Sequence, residues 1–107
     1  MAVFYTMSSE RNENGLYEHS LVDVHTREVV CVAEVMKDRE GHTVVIQLDT
    51  PVKHRGKGYA RELLRLLGTY AQDSLLRVVS TVTALGYYHK LGYTEVAPHV
   101  FQYVYRG

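Results

Sequence analysis

A basic, glycine-containing stretch lies directly before a helical pattern and suits the binding of a phosphate group. It reads Lys53-His54-Arg55-Gly56-Lys57-Gly58-Tyr59-Ala60. Glycine lets a backbone approach a ligand closely, and the free N–H groups and positive dipole end at the start of a helix attract anions. The stretch is therefore a candidate phosphate site, with backbone N–H groups as the main donors.

Spacing excludes two well-known phosphate loops. A Walker A loop that ends at Gly56-Lys57 would require glycine in place of Pro51 and serine or threonine in place of Gly58. A dinucleotide fingerprint that starts at Gly56 would require glycine or alanine in place of Arg61. Taken alone, the stretch is also consistent with an ordinary glycine-rich turn before a helix.

Two motifs resemble those of the GCN5-related N-acetyltransferase (GNAT) family. The first is Arg55-x-x-Gly58-x-Ala60, which is similar to the family's pyrophosphate-binding signature, Gln/Arg-x-x-Gly-x-Gly/Ala. The second is the run Ala84-Leu85-Gly86-Tyr87-Tyr88-His89-Lys90-Leu91-Gly92-Tyr93. It looks like the family's second signature, a short helix that ends in Lys-Leu-Gly followed by an aromatic residue. The two motifs occur in the family's order, with one predicted helix and one predicted strand between them.

The resemblance implies that acetyl-coenzyme A is the acyl donor, and it assigns residues to donor binding. Backbone N–H groups would hold the diphosphate, and they belong to Arg55, Gly56, Lys57, Gly58, Tyr59 and Ala60. Backbone groups near Leu48 and Thr50 would hold the pantetheine arm as an added strand would. Lys53 and His54 either add positive charge at the phosphates or are solvated loop residues.

The reaction that the resemblance implies is attack of an amine on a thioester, which needs a base for the ammonium proton and an acid for the leaving thiolate. Tyr88 occupies the position whose tyrosine acts as general acid in many family members; its alternative role is packing. Its neighbour Tyr87 is predicted to be the core member of the pair. Glu34 and Asp49 are alternative candidates for the base, and each could instead be structural.

Hydrophobic periodicity predicts the elements that position these residues. Alternating or continuous apolar residues indicate strands at 2–7, 16–26, 28–37, 43–50, 77–82, 93–96 and 100–105. An apolar stripe at helical spacing predicts a long helix after the phosphate turn, and its members are Ala60, Leu63, Leu64, Leu67, Ala71 and Leu75. A short helix is predicted over 84–91 and is ended by Gly92.

These elements predict an α+β fold with a mixed sheet of six or seven strands and two helices. The resemblance implies a GNAT-like fold, in which the strands at 43–50 and 77–82 run parallel and splay apart to admit the donor. The family usually has two helices between its first two strands. Residues 8–15 are too few and too polar to form them, so we expect the N-terminal helices to be missing or vestigial.

Length and composition predict one domain over residues 1–107. Hydrophobic residues make up 46% of the chain, and twelve basic side chains balance twelve acidic ones, which favours neither nucleic acid nor an anionic membrane as a partner. The single cysteine, Cys31, excludes an internal disulfide, and no apolar run reaches membrane-spanning length, so we expect a cytoplasmic protein. The six histidines are scattered without metal-ligand spacing, and no metal site is predicted.

We therefore expect an acetyl-coenzyme A-dependent N-acetyltransferase that acts on a primary amine by direct attack on the thioester. The expected acceptor is a lysine or N-terminus of a protein, because the chain lacks the residues to enclose a small substrate. The competing explanation is a homodimer whose second subunit closes the cleft through Phe101, Tyr103 and Tyr105. The alternative function is a non-catalytic coenzyme A-binding or protein-interaction module with the same fold.

Overall fold

The computed structural model describes residues 2–8 and 10–105. Seven strands form one sheet: β1 (Val3–Met7), β2 (Tyr17–Asp23), β3 (Val29–Lys37), β4 (Thr43–Asp49), β5 (Leu75–Val79), β6 (Thr94–Ala97) and β7 (Val100–Val104). Two α-helices, α1 (Tyr59–Thr69) and α2 (Leu85–Lys90), follow β4 and β5. The predicted α+β arrangement, with a mixed sheet and two helices, is confirmed.

The sheet has the strand order β1-β2-β3-β4-β5-β7-β6. Strands β4 and β5 are parallel, and each of the other neighbouring pairs is antiparallel. The predicted strand positions agree with the structure to within a few residues. The largest difference is at β5, which begins at Leu75 rather than residue 77 and ends at Val79 rather than residue 82.

Helix α1 packs one face against the sheet. Its buried side chains Leu63, Leu64 and Leu67 lie in the same core cluster as sheet residues such as Val45 and Leu76. Burial of each leucine side chain contributes about 1.5–3 kcal/mol to the free energy of unfolding. The helix therefore fixes the position of the turn that precedes it relative to β4 and β5.

The predicted extension of the helical stripe through Ala71 and Leu75 is wrong. The helix ends at Thr69, and Asp73 and Ser74 have left-handed φ angles of 57° and 55°. Leu75 instead belongs to β5 and pairs with Val104 of β7. An apolar residue at position 75 fits both the helical and the strand pattern, and the available partner strand decides between them.

The three aromatic residues of the predicted dimer surface on the C-terminal strand differ in exposure. Phe101 is fully buried and packs against Tyr88, with ring centroids 5.7 Å apart. The ring of Tyr105 lies against α1 at Gly68, and Tyr103 contacts the rings of Tyr93 and Tyr105. Buried Phe101 cannot take part in a dimer surface, so that part of the prediction is wrong. Tyr103 is 36% exposed, and the homodimer itself stays a prediction.

No helix lies between β1 and β2 in the part of the chain that the structure describes. Asn12 organises the connection instead: its side-chain oxygen accepts hydrogen bonds from the backbone N–H groups of Asn14 and Leu16. The expected absence of the family's two N-terminal helices therefore agrees with the described residues. None of the helices described is long and apolar enough to cross a membrane.

Candidate active site

A cavity of about 350 Å³ opens where the end of β4, the turn before α1 and the start of α2 meet. It is lined by Leu48, Asp49, Thr50, His54, Arg55, Gly56, Gly58, Tyr59, Ala60, Ala84, Tyr87 and Tyr88. The structure thus brings together the catalytic candidates Asp49 and Tyr88. It places the predicted donor-binding residues in the same lining, with the exception of Lys57. Lys57 is exposed and lies outside the lining, and so does the third catalytic candidate, Glu34.

Strands β4 and β5 separate beside this cavity. Their ladder pairs Thr43, Val44 and Val45 of β4 with Leu76, Arg77 and Val78 of β5, and it stops there. The rest of β4, from residue 46 to residue 49, pairs with β3 on one side and, among the residues that the structure describes, has no strand partner on the side of β5. An extended ligand could therefore hydrogen-bond to this edge as an added strand would.

Two glycines shape the turn between β4 and α1. Gly56 has φ 77° and Gly58 has φ 81°, which is the left-handed region that other residues rarely adopt. Gly58 caps α1, and no side chain occupies the N-terminal capping position. Within the described residues, no hydrogen bond engages the backbone N–H groups of residues 56–61. The turn and the start of α1 thus present consecutive unbonded donors, as an anion site requires.

The side chain of Arg55 lines the cavity and also links the turn to the residue that follows β4. Its Nε donates to the backbone oxygen of Thr50 at 2.9 Å. The hydroxyl of Thr50 in turn donates to Sγ of Cys31 at 3.4 Å. These two contacts connect the last residue before the turn to the loop on one side and to the core on the other.

His54 is the most enclosed basic residue of the turn. Its Nε2 lies 3.0 Å from Oε2 of Glu28, and the same carboxylate oxygen accepts a hydrogen bond from Nζ of Lys53 at 2.7 Å. The hydrogen bonds from Lys53 and then from His54 lower the pKa of Glu28 below its ordinary value. The Nδ1 of His54 is buried and has no hydrogen-bond partner among the described residues. A cavity-lining histidine with one ring nitrogen fixed and the other unbonded can accept or donate one further hydrogen bond.

The two adjacent tyrosines of α2 differ in environment, and the prediction for Tyr87 is wrong. Tyr87 is 38% exposed, whereas Tyr88 is 3% exposed and packs between Tyr93 and Phe101. Both line the cavity. Burial raises the pKa of Tyr88 well above its ordinary value, and the nearby Tyr87 acts in the same direction. The Tyr88 phenol is therefore protonated throughout the physiological pH range, and its hydroxyl makes no hydrogen bond to another described residue.

The two candidate bases have different surroundings. Asp49 lines the cavity, while Glu34 accepts a hydrogen bond from Nδ2 of Asn12 at 2.9 Å and lies outside the lining. The strand register pairs Glu34 with Gln47 and Val32 with Asp49. The two carboxylates are thus diagonal neighbours on one sheet face, which corresponds to a Cα separation of about 7–8 Å. Asp49 is the one with direct access to the cavity.

The sequence alone did not point to Glu28 as a neighbour of this site. Glu28 precedes His54 by 26 positions, and no motif links them; the hydrogen bond between their side chains appears only in three dimensions. Among the described residues, no group of His, Cys, Asp and Glu side chains could hold a metal ion.

Comparison with known proteins identifies the family. A family model of the acetyltransferase (GNAT) domain matches residues 2–103. A putative N-acetyltransferase from Lactobacillus plantarum has a similar structure, with a TM-score of 0.71 at 14% identity over 89% of this chain and 73% of that chain. Tetrahymena GCN5 gives a TM-score of 0.63 at 15% identity over 83% of this chain and 69% of that chain.

A bacterial toxin is also similar, with a TM-score of 0.60 at 12% identity over 81% of this chain and 65% of that chain. At these identities the structural likeness shows the fold. No curated protein sequence matches the chain significantly. GNAT proteins generally use acyl-coenzyme A donors. Because the family model matches nearly the whole sequence, the chain belongs to the GNAT acetyltransferase family.

Proposed function

We propose that this protein is an acetyl-coenzyme A-dependent N-acetyltransferase. The observation that carries the proposal is the cavity that joins the glycine turn, the free edge of β4 and the hydroxyl-bearing residue Tyr88. Candidate groups for phosphate binding, for pantetheine binding and for proton donation thus lie along one continuous surface.

The groups around the cavity fit such a donor in charge and in hydrogen-bonding capacity. The unbonded backbone N–H groups of residues 56–61 suit a diphosphate, and Arg55 and Lys57 place positive charge beside them. The buried Nδ1 of His54 offers one further hydrogen bond. The unpaired edge at residues 46–49 offers alternating N–H and C=O groups to the amides of a pantetheine arm.

The chemistry requires one proton to leave the amine and another to reach the departing sulfur. When bound, acetyl-coenzyme A supplies an activated acetyl thioester. In our proposal the Tyr88 hydroxyl donates a proton to the sulfur, for which its protonated state at neutral pH is suitable. Asp49 accepts the proton of the incoming ammonium, directly or through water, since it lines the same cavity. Glu34, one strand away, is the second candidate for this role.

The acceptor that we propose is a primary amine on a protein, either a lysine or an N-terminus. A small substrate usually gains its affinity from a pocket that encloses about 70–90% of its surface. Residues 10–16, which connect to β2, form turns rather than a wall of helices. A protein acceptor brings its own surface, and contacts remote from the amine can orient it for attack.

The test begins with calorimetry of acetyl-coenzyme A on the unmodified protein and on Gly58→Glu. The substitution puts a carboxylate and a strained φ angle into the turn, and we expect it to abolish binding. Gly15→Glu is the matched control, because Gly15 also has a positive φ (77°), has open space around it, and lies outside this cavity. Equal donor affinity in folded Gly58→Glu would refute the donor site.

Mass spectrometry of proteins and of amine panels after incubation with acetyl-coenzyme A then tests transfer. We expect acetylated lysines or N-termini. Efficient turnover of a polyamine, an aminoglycoside or an amino acid, with no protein acetylated, would refute the proposed acceptor class.

The second candidate function is a coenzyme A-binding module without turnover. The observation that favours it is the absence of the family's two N-terminal helices from the described residues. Tight donor binding without acetylation of any protein or amine would support the module and overturn the enzyme.

A further inference from the structure

A second and larger cavity, of about 520 Å³, lies at the other end of α1. It is formed by β1, β2, the end of β3 and the last turn of the helix. Its apolar lining includes Met7, Val35, Leu66, Leu67 and Tyr70. The volume falls in the range of about 300–1,000 Å³ that is typical of small-molecule sites.

The polar side chains that line this second cavity are either positively charged or uncharged. Arg11 and Lys37 line it, and no acidic residue is among the described residues of its lining. The Arg11 guanidinium lies 5.7 Å from the ring centroid of Tyr17. Nζ of Lys37 donates to Oγ1 of Thr43 at 2.8 Å, which leaves further protons of the ammonium free to bind an anion.

The third nitrogen-bearing group, His19, is uncharged. It is 8% exposed and hydrogen-bonded to the hydroxyl of Tyr5. Burial, followed by the charge of Lys37, lowers the pKa of His19 below its ordinary value. The positive charge of the cavity at neutral pH therefore comes from Arg11 and Lys37, which lie on a loop and a strand that sequence motifs did not single out.

The second cavity is separate from the candidate active site. The two share no lining residue. Thr43 begins β4 and borders the second cavity, whereas Leu48, Asp49 and Thr50 end the strand at the first. At about 3.3 Å per residue this places the two sites roughly 17–23 Å apart along the strand. A small molecule in the second cavity therefore cannot reach the cavity that we propose for the donor.

We propose that this second cavity binds a small monoanionic ligand with a flat apolar body, in chemical terms an aryl carboxylate. The rings of Tyr5, Tyr17 and Tyr70 match an aromatic body, and the Arg11 and Lys37 side chains match a carboxylate. The site is independent of the acetyl donor.

Fluorescence titration with 2-naphthoate tests the proposal. The chain contains no tryptophan, and Tyr70 is 84% exposed, so Tyr70→Trp places one reporter on the rim of the cavity without disturbing the core. We expect saturable quenching with a dissociation constant of about 0.1–1 mM. The neutral 2-naphthylmethanol should bind several-fold more weakly, and the cationic 2-naphthylmethylamine should not bind.

Charge variants in the Tyr70→Trp background identify the carboxylate partners. Arg11→Gln and Lys37→Gln should each weaken 2-naphthoate binding by about tenfold, the usual effect of losing one charge-assisted hydrogen bond. Lys90→Gln, at the exposed end of α2, is the control and should leave the affinity unchanged. Gly58→Glu should also leave it unchanged, since that residue belongs to the other cavity.

Three outcomes would overturn the proposal. They are no saturable binding at millimolar concentrations, equal affinity for the cationic analogue, and loss of 2-naphthoate binding in Gly58→Glu. The last result would place the ligand in the candidate active site.

Discussion

The ring of Tyr105 lies directly against Gly68 in helix α1, where a Cβ atom would fall 2.1 Å from Cδ2 of the tyrosine. Glycine inside a helix costs about 1 kcal/mol relative to alanine, and here the contact explains its presence. We expect Gly68→Ala to lower the free energy of unfolding by about 1–3 kcal/mol. The added methyl group would push the Tyr105 ring away from the helix and would strain the hydrogen bond between the Tyr105 and Tyr93 hydroxyls. Urea denaturation measures the change.

Gly86 in α2 is the matched control for that substitution. Among the described residues, no atom outside its chain neighbours and its own helix lies within 4 Å of the position that its Cβ would occupy, and its φ angle is not positive. Gly86→Ala should therefore raise the free energy of unfolding by up to about 1 kcal/mol. If Gly68→Ala were as stable as Gly86→Ala, the Tyr105 contact would not be the reason for Gly68.

The second prediction concerns His54. Replacement by phenylalanine keeps the ring, and hence the edge contact with Tyr59 at a centroid distance of 6.1 Å, but removes both nitrogens. If Nδ1 binds the donor, we expect His54→Phe to weaken the binding of acetyl-coenzyme A by about tenfold in calorimetry.

Lys53→Gln separates this effect from a general loss of positive charge. Lys53 binds the same carboxylate of Glu28, but it is exposed and lies outside the cavity lining. We expect the affinity of Lys53→Gln for acetyl-coenzyme A to stay within about twofold of that of the unmodified protein, because exposed charges contribute little. Equal losses in the two variants would mean that charge, rather than the His54 ring nitrogen, matters.

The third prediction concerns proton donation by Tyr88. Tyr88→Phe preserves the buried ring and removes the hydroxyl, so kcat should fall by about 10²-fold with little change in donor affinity. Tyr87→Phe, which alters the half-exposed neighbour, should stay within about threefold of the unmodified enzyme. An unchanged kcat in Tyr88→Phe, with chemistry rate-limiting, would make Tyr88 a packing residue.

The pH dependence gives a separate test of Tyr88. Its pKa is raised by burial, so the phenol loses its proton only at a pH above its ordinary value near 10. A proton donor is active while protonated. We therefore expect the rate profile to show no fall assignable to Tyr88 between about pH 7 and 10, measured as kcat against pH. A decline in that interval that disappears in Tyr88→Phe would contradict the raised pKa.

The fourth prediction concerns Cys31. This residue is fully buried, and burial raises the pKa of its thiol above the ordinary value. Little thiolate is then present at pH 8, and iodoacetamide reacts with the thiolate. In the folded protein we expect alkylation at least about tenfold slower than in urea-unfolded protein, followed by mass spectrometry. Equal rates in the two states would show that Cys31 is accessible.

The sequence predicted the elements well because alternation and helical spacing are local properties. The strands from β1 to β4 follow one another in the chain and in the sheet, so turns and apolar alternation suffice to order them. The glycine turn was predictable for the same reason, since its donors all come from one short segment. The family resemblance supplied the parallel and splayed pair β4–β5, which no local pattern contains.

Features that depend on distant contacts could not be predicted. Tyr87 and Tyr88 are adjacent and chemically identical, and only the position of α2 against β7 decides which one is buried. The Glu28–His54 hydrogen bond and the Gly68–Tyr105 contact each join residues that are far apart in sequence. The end of α1 depends on the pairing of Leu75 with Val104 of β7, which is a tertiary contact that the local sequence pattern does not contain.

The three-residue ladder between β4 and β5 also has a consequence for cooperativity. It joins a meander of four strands to the C-terminal part of the sheet, and α1 is the helix that packs across both. So short a ladder is a place where the chain can open locally at less cost than global unfolding requires. A donor that fills the gap would bridge the two parts, and at a hundred times its dissociation constant it would add about 2.7 kcal/mol to their stability. Binding of the donor would then suppress local opening between β4 and β5, which is the part of the sheet where the donor enters.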